Sequence, residues 1–186
     1  MVPKSMFKTS QPHADVTTSK VCWTLAPLKL FRRLLVEDIR FPEDCMPEDI
    51  EFVLRAYVAA QVVSVAAEYD YYHVAAETGD SNASVTTWDD VDSNLRAYER
   101  VLLLIDSEPV LSSSVALMRR ILKRDICATL HRITIEQDKQ LSARWFDELE
   151  DVCCALFNEQ RLQSLSKEDI ELLVAAFCAK SESAEI

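Results

Sequence analysis

The sequence predicts an all-α fold, a compact bundle of six to seven helices. The chain of 186 residues contains a single glycine, Gly79, where average usage of about 7% would give roughly a dozen. Apolar residues recur three or four positions apart over long stretches, which is the spacing of one helix face. P-loops, doubly wound nucleotide folds and tight hairpins need several glycines, so the composition argues against these classes.

The N-terminal residues show no such periodicity. Residues 1–22 mix proline, serine, threonine and lysine, a composition that favours a flexible arm, either disordered or loosely docked. We expect a single helical domain over residues 23–180, because a chain of this length normally forms one domain. A polar tail, residues 181–186, completes this organisation.

Two helices are predicted in the first half of the chain. The first covers residues 27–40, with Pro27 in its first turn and Pro42 after its end. The second starts at Pro47 and its apolar spacing continues to about residue 77, with Gly79 at the position that ends many helices.

Polar caps mark the helices of the second half. Thr87 and Asp90 form a variant capping box that opens a helix to about residue 106. Ser112 to Ser114 cap a helix that reaches about residue 134.

Two further helices complete the predicted bundle. Ser142 is the predicted cap of a helix that ends near Phe157. Ser166, with Asp169 three residues later, opens the last helix.

Charge is distributed unevenly along the chain. Residues 1–40 carry seven Lys or Arg and three acids, a net of +4, which leaves −15 for the rest because the whole chain carries −11. An acidic body is a poor match for phosphate backbones, so we expect no nucleic-acid partner.

Cysteines and apolar runs indicate the compartment. None of the six cysteines shows the CxxC spacing, and the first twenty residues lack the apolar core of a signal peptide. We therefore expect reduced cysteines in the cytoplasm. No apolar run approaches the roughly 20 residues that span a bilayer, so no membrane partner is expected.

Candidate chemistry is sparse. Asp70 with His73, and Cys127 with His131, would each share a helix face. A metal site needs further ligands, and neither pair is matched by a second pair of the same kind. We find none of the common nucleophile or phosphate-binding motifs. The sequence therefore predicts no catalytic residues, no metal site and no cofactor.

Two clusters are candidates for partner binding. Three tyrosines, Tyr69, Tyr71 and Tyr72, lie within four residues, so at least one should be exposed, and exposed aromatic residues are enriched at protein interfaces. The alternative is a tyrosine that lies along the surface beside a basic residue. The second cluster has four cations within six residues: Arg119, Arg120, Lys123 and Arg124. Its alternative is a solvated helix face that balances nearby acids.

Several apolar stretches resemble one known family. Ile126-Cys127-Ala128, then Leu141 to Leu149 with Trp145, then Ala155 to Asn158, resemble the C-terminal half of the poxvirus Bcl-2-like proteins. Upstream, Phe52-x-Leu54-x-x-Tyr57 followed by Tyr69 and Tyr72 resembles the long first helix of that family. The resemblance covers residues 47–178 in helix order. Residues 121–134 lack the glycine and the tryptophan often found in the family's central helix.

The resemblance implies a Bcl-2-like bundle that acts without catalysis. It implies a viral protein in the host cytoplasm that occupies a host innate-signalling protein and suppresses NF-κB or interferon induction. Family members often pair through their first and last helices, here residues 47–77 and 166–179, so a homodimer is implied as possible. One alternative is an apoptosis inhibitor that holds a BH3-like helix in an apolar groove, although the glycine-bearing groove motif is absent. A small helical enzyme or metal protein is a further alternative.

Overall fold

The computed structural model describes residues 8–45, 47–69, 71, 90–126, 129, 138–156, 166–168, 170–171 and 174, without the side chains of 146 and 150–156. The chain divides into two compact units, Met1–Ala116 and Leu117–Ile186. The single domain predicted over residues 23–180 stays a prediction, and the polar tail lies outside the described residues.

Helices account for the regular structure, as predicted. In the described part of the first unit there are a short 3-10 helix, Lys20–Trp23, and the α-helices α1 (Arg33–Val36), α2 (Asp49–Ala59), α3 (Val91–Ser107) and α4 (Pro109–Ser112). Helix α5 (Val115–Arg120) is followed directly by a π-helix, Ile121–Ile126, and later by α6 (Lys139–Leu156). Within the described ranges, the β pairing is limited to one antiparallel bridge between Gln11 and Val65.

Helix α2 is the centre of the first unit. Asp49 and Glu51 lie in its first turn, where the positive end of the helix dipole favours acids. Val53 and Leu54 are fully buried, and Tyr57 nearly so. The spacing of these side chains gives the helix a wide apolar face that packs into the core.

The long helix predicted to reach residue 77 ends much earlier. Ala60 already has an extended backbone, with ψ of 126°, and residues 60–67 are not helical. Val65 is 8% exposed, whereas Val62 is 54% exposed. Closely spaced β-branched valines favour extended backbone over helix. The rest of the predicted helix, apart from residues 68, 69 and 71, lies outside the described residues.

Residues 8–22, which we predicted to belong to a flexible arm, are held by this extended segment. Gln11 and Val65 exchange two backbone hydrogen bonds of 2.8 Å, and the Ala14 N–H donates to the Val63 carbonyl at 2.7 Å. The Ser64 hydroxyl donates to the carbonyl of Pro12 at 2.6 Å. The sequence does not reveal this pairing, because the partners are about fifty residues apart and no local pattern records it.

The helix predicted over residues 27–40 is reduced to the single turn α1. No side chain caps this turn, and Arg32 before it is extended. Leu30 and Leu34 are strongly exposed, so the apolar side chains of this segment do not form one buried face. An uncapped turn with an exposed apolar side has little to extend it.

Helix α3 matches its predicted range closely. Its cap is Asp90, whose carboxylate accepts the backbone N–H of Ser93 at 3.0 Å, whereas the predicted cap, Thr87, lies outside the described residues. The predicted apolar face is buried at Val91, Leu95, Tyr98, Leu102 and Ile105. A capped helix with period 3.6 is the pattern that sequence analysis predicts best.

In the second unit, α6 begins three residues earlier than its predicted cap. The carboxylate of Asp138 accepts the backbone N–H groups of Gln140 and Leu141 at 2.9 and 3.1 Å. Ser142 instead donates its hydroxyl to the Asp138 carbonyl at 2.9 Å. Trp145 and Leu149 are buried, in agreement with the predicted apolar face.

Loss of the Leu54 side chain should destabilise the first unit. The substitution Leu54→Ala removes a fully buried side chain from α2, and such changes cost about 2–5 kcal/mol. Leu103→Ala is the matched control, because Leu103 lies on α3 with 70% of its surface exposed, and it should stay within about 0.5 kcal/mol. Urea denaturation followed by circular dichroism measures both values. Equal effects of the two substitutions would show that Leu54 does not lie in a core.

Candidate functional site

The predicted tyrosine cluster lies at the surface. Tyr69 and Tyr71 are both exposed, and their rings meet edge to face with centroids 5.6 Å apart. Tyr72 lies outside the described residues. The expected exposure is therefore present for two of the three tyrosines, while a role in partner binding stays a prediction.

The predicted basic cluster is divided between surface and interior. Lys123 and Arg124 are exposed, and Arg119 is half-buried. Arg120 is buried and forms an ion pair with Asp125. These two residues are five positions apart, and the π-helical turn brings such positions onto one face. Arg120 therefore forms an internal ion pair and does not belong to an exposed basic surface. Partner binding at the other three residues stays a prediction.

The considered metal ligands give no site within the described part of the chain. His73 and His131 lie outside it, as do Asp70 and Cys127. No group of three His, Cys, Asp or Glu residues there is arranged to hold a metal ion. Cys22 and Cys45 are buried, and neither forms a disulfide bond. Of the helices described, none is long and apolar enough to cross a bilayer.

A buried carboxylate in α2 was missed by the sequence analysis. Glu51 is 4% exposed, and its Oε1 accepts from Arg55 Nε at 2.8 Å while its Oε2 accepts from Arg100 Nε at 2.6 Å. The Glu51-x-x-x-Arg55 spacing was a detectable local signal. The contact with Arg100, 49 positions away, had no signal in the sequence.

The two arginines determine the ionisation of Glu51. Burial opposes the charged form, but the hydrogen bonds from Arg100 and Arg55 outweigh it and lower the pKa of the Glu51 carboxyl. The same bond to Glu51 raises the pKa of Arg100. The cluster is therefore a carboxylate held between two permanent cations.

This cluster forms the floor of a cleft of about 400 Å³. One wall is the segment 38–40, α2 contributes Glu51, Arg55, Val58 and Ala59, and the other side has Arg100, Leu104 and Glu108. The lining thus combines carboxylates and guanidinium groups with a few apolar side chains. Such a surface offers both donors and acceptors of hydrogen bonds to a polar ligand.

A second cluster lies beside α2, around Lys29. The Lys29 Nζ lies 5.9 Å from the centroid of the Tyr57 ring and donates to the Ala26 carbonyl. Burial lowers the pKa of Lys29 to about 8, although the nearby Asp49 carboxylate opposes this shift. Burial also raises the pKa of Tyr57 to about 12. Asp49 is thus close enough to Lys29 to act on it electrostatically, while the ammonium group itself lies at Tyr57, about two turns further along α2.

Three aromatic rings pack beside the second cluster. The Phe41 ring stacks on Phe52 with centroids 4.0 Å apart, and Phe31 meets Phe52 edge-on at 5.6 Å. Together these contacts fix the segment 31–41 against α2. They connect the segment that carries Lys29 to the one that lines the cleft.

Similarity to known proteins changes the functional interpretation. The chain is 43% identical over 82 residues to the poly(ribitol-phosphate) beta-glucosyltransferase of Bacillus spizizenii, which is 42% of this chain and 13% of that enzyme. It is 36% identical over 86 residues to the poly(ribitol-phosphate) beta-N-acetylglucosaminyltransferase TarS of two Staphylococcus aureus strains, Mu50 and MW2, at 45% of this chain and 15% of those enzymes. The chain thus spans less than a sixth of the length of these relatives. No family model matches it, and no solved structure does.

These similarities correct the predicted function. The prediction of a non-enzymatic viral modulator of host signalling is wrong, because the relatives are bacterial glycosyltransferases. The prediction that the protein is not an enzyme is wrong for the same reason. The family resemblance rested on apolar spacing, which many helical proteins share. The predicted homodimer, the expected absence of nucleic-acid and membrane partners and the cytoplasmic location stay predictions.

Lys29 should titrate near pH 8 and make the free energy of unfolding depend on pH. The unfolded chain holds the proton up to the ordinary pKa of 10.5, whereas the folded chain loses it near 8, so Lys29 makes stability rise with pH between these values. The substitution Lys29→Met removes this term. Its stability relative to the parent should be greatest below about pH 8 and should decline towards about pH 10.5. Urea denaturation across this range checks the trend, and a difference that is flat with pH would contradict it.

Neutralising Glu51 should destabilise the protein at neutral pH. The change Glu51→Gln leaves two arginines without their carboxylate, at a cost of about 1–3 kcal/mol, because both guanidinium groups retain contact with water. The lowered pKa of Glu51 means that its contribution is present above its ordinary value of 4.5 and is lost as pH falls through the folded value.

The deficit of Glu51→Gln should therefore shrink in acid. Denaturation at about pH 7 and about pH 3 measures this. Glu99→Gln, at an exposed position of α3, is the matched control and should stay within about 0.5 kcal/mol. A Glu51→Gln deficit as small as that of the control would refute the assigned role of the ion-pair cluster.

Proposed function

We propose that this chain is part of a glycosyltransferase that modifies a polymer of polyol phosphate units. The observation that carries the proposal is the 43% identity over 82 residues to a poly(ribitol-phosphate) beta-glucosyltransferase. The names of the three relatives share the acceptor, poly(ribitol-phosphate), and differ in the sugar. The proposal therefore concerns the acceptor class and leaves the sugar open.

Sugar transfer sets a chemical requirement. An acceptor hydroxyl attacks the anomeric carbon of an activated sugar, the bond to the leaving group breaks, and the hydroxyl proton passes to a base. A nearby carboxylate serves as this base, and a cation stabilises the negative charge that develops on the leaving group. The reaction thus needs one acid group and one cation close together.

Asp49 and Lys29 meet this requirement. Asp49 is half-buried in the first turn of α2 and close enough to Lys29 to affect its pKa. We assign the proton-accepting role to Asp49 and the stabilisation of negative charge to Lys29, which stays mostly protonated at neutral pH because its pKa is about 8. Glu51 is less suited to the role of base, since two arginines already bind its carboxylate.

The extent of the similarity limits what is assigned. The chain spans 13–15% of the length of its relatives, so we propose a role in transfer for the matched segment and assign no residues to the sugar donor. The Bcl-2-like arrangement of helices stays a prediction, and no step of the proposed chemistry depends on it.

A segment exchange tests the proposed transfer. The matching segment of the Bacillus spizizenii enzyme is replaced with that of this chain, and transfer of glucose from its nucleotide-activated form to poly(ribitol-phosphate) is measured. The chimera, built so that the inserted segment includes Lys29, Asp49 and Glu99, should retain transfer, and Asp49→Asn should lower the rate by about 10²–10⁴-fold, the usual contribution of a positioned base. Glu99→Gln is the control and should leave the rate unchanged. A folded chimera without transfer, or an Asp49→Asn variant as active as its parent, would contradict the proposal.

A further inference from the structure

The cleft floored by Glu51 has no role in the transfer chemistry assigned above. It is lined along most of α2, by Glu51 in the first turn and by Val58 and Ala59 at the C-terminal end. Asp49 lies two residues before Glu51, and successive residues of an α-helix are rotated by about 100°, so these two side chains leave the helix in nearly opposite directions. A ligand in this cleft would therefore contact a face of α2 other than the one that carries Asp49.

Glu51 holds the two arginines of the cleft and leaves part of each exposed. The side chains of Arg55 and Arg100 are 47% and 41% exposed, although both bind the buried carboxylate. Arg55 uses its Nε and Nη2 on Glu51, so its Nη1 remains for a ligand. Arg40, at the edge of the cleft, is exposed. Glu51 thus holds Arg55 and Arg100 with part of each guanidinium group exposed, while Arg40 donates to the carbonyls of Glu37 and Ile39 in its own segment. Exposed guanidinium groups that line one cleft favour binding of an anion such as phosphate.

The remaining lining suits hydroxyl groups and carbon. Asp38 and Glu108 lie in the same cleft, and no ion pair engages either carboxylate within the described ranges. Carboxylates accept hydrogen bonds from hydroxyls. Val58 and Leu104 add an apolar strip. With three cations and three acids the lining is neutral as a whole, so it favours a ligand that presents both an anionic group and hydroxyls over a simple anion.

We propose that this cleft binds one polyol phosphate unit of the acceptor polymer, with the phosphate at Arg40 and Arg55 and the hydroxyls at Asp38 and Glu108. The carbon chain lies on Val58 and Leu104. The inference rests on the proposed function for the identity of the polymer. Because a polymer repeats its unit, one unit is held in the cleft while another meets Asp49. The cleft is therefore a holding site that keeps the polymer on the protein between transfers.

The distribution of charge supports an anionic ligand at this position. The cleft wall at Asp38 to Arg40 ends the segment of the chain that carries a net charge of +4, and the rest carries −15. Arg32 and Arg33, both exposed, precede the wall. A polyanion is thus repelled by most of the acidic surface and attracted by the segment that leads to the cleft.

Binding to the full chain, without any sugar donor, tests this inference. The probe is ribitol 5-phosphate, titrated by calorimetry and by two-dimensional amide NMR, with ribitol and inorganic phosphate as comparison probes. Ribitol 5-phosphate should bind at least about tenfold more tightly than either comparison probe, since each presents only half of the proposed contacts. Its affinity should fall with added salt because the phosphate contact is ionic.

Two substitutions locate the bound probe. Arg40→Ala removes an exposed cation and should preserve the fold, and Val58→Trp fills the cleft. Each should weaken ribitol 5-phosphate binding at least about tenfold, while Val62→Trp, at an exposed position outside the cleft, should not. Circular dichroism reports whether each variant is folded, and if Val58→Trp does not fold, Arg40→Ala decides.

Three outcomes would overturn the inference. They are no binding of ribitol 5-phosphate, binding that is unchanged by Arg40→Ala, and equally tight binding of inorganic phosphate. The last outcome would mean that the cleft selects an anion alone. Because no transfer is measured, binding at the cleft stands even if the segment exchange fails, and transfer stands even if the cleft is empty.

Discussion

The first unit depends on one buried charge. Glu51 is almost fully buried, and burial of an isolated carboxylate costs several kcal/mol. Two arginines offset this cost, one from the next turn of α2 and one from α3. Because the Arg100 contact joins α3 to α2, the requirement to neutralise Glu51 constrains how these helices pack. The same requirement holds both guanidinium groups at the cleft.

The two ends of α2 have different physical surroundings. Asp49, in the first turn, acts electrostatically on Lys29, and burial lowers the pKa of that lysine to about 8. At the C-terminal end the helix stops at Ala60 and the chain becomes extended, so that Val63 and Val65 pair with residues of the N-terminal segment. The helix is therefore anchored by core packing along its length. After its C-terminal end the chain becomes extended and pairs with the N-terminal segment.

What could be predicted from the sequence is what is local. Helix α3 was predicted because its apolar period and its polar start lie within one stretch of chain. The extended segment after Ala60 was not, because its alanine and valine spacing is compatible with a helix and its partner, Gln11, lies 54 positions away. The same reason hid half of the cleft: Glu51 and Arg55 are one turn apart, but Arg100 reaches them only in the folded chain.

The incorrect function came from the same limit, applied to a family resemblance. Apolar residues at helical spacing report burial, and burial is required of every helical protein, so their order along residues 47–178 carried little information about chemistry. The residues that carry chemical information are polar ones. The fold neutralises the charge of some of them with partners, as at Glu51, and removes others from water, as at Lys29. Neither state is visible in composition. A buried acid among apolar residues, with a basic residue one turn later, is nevertheless a local pattern, and in this chain it marks both the helix that orients Asp49 and the floor of the cleft.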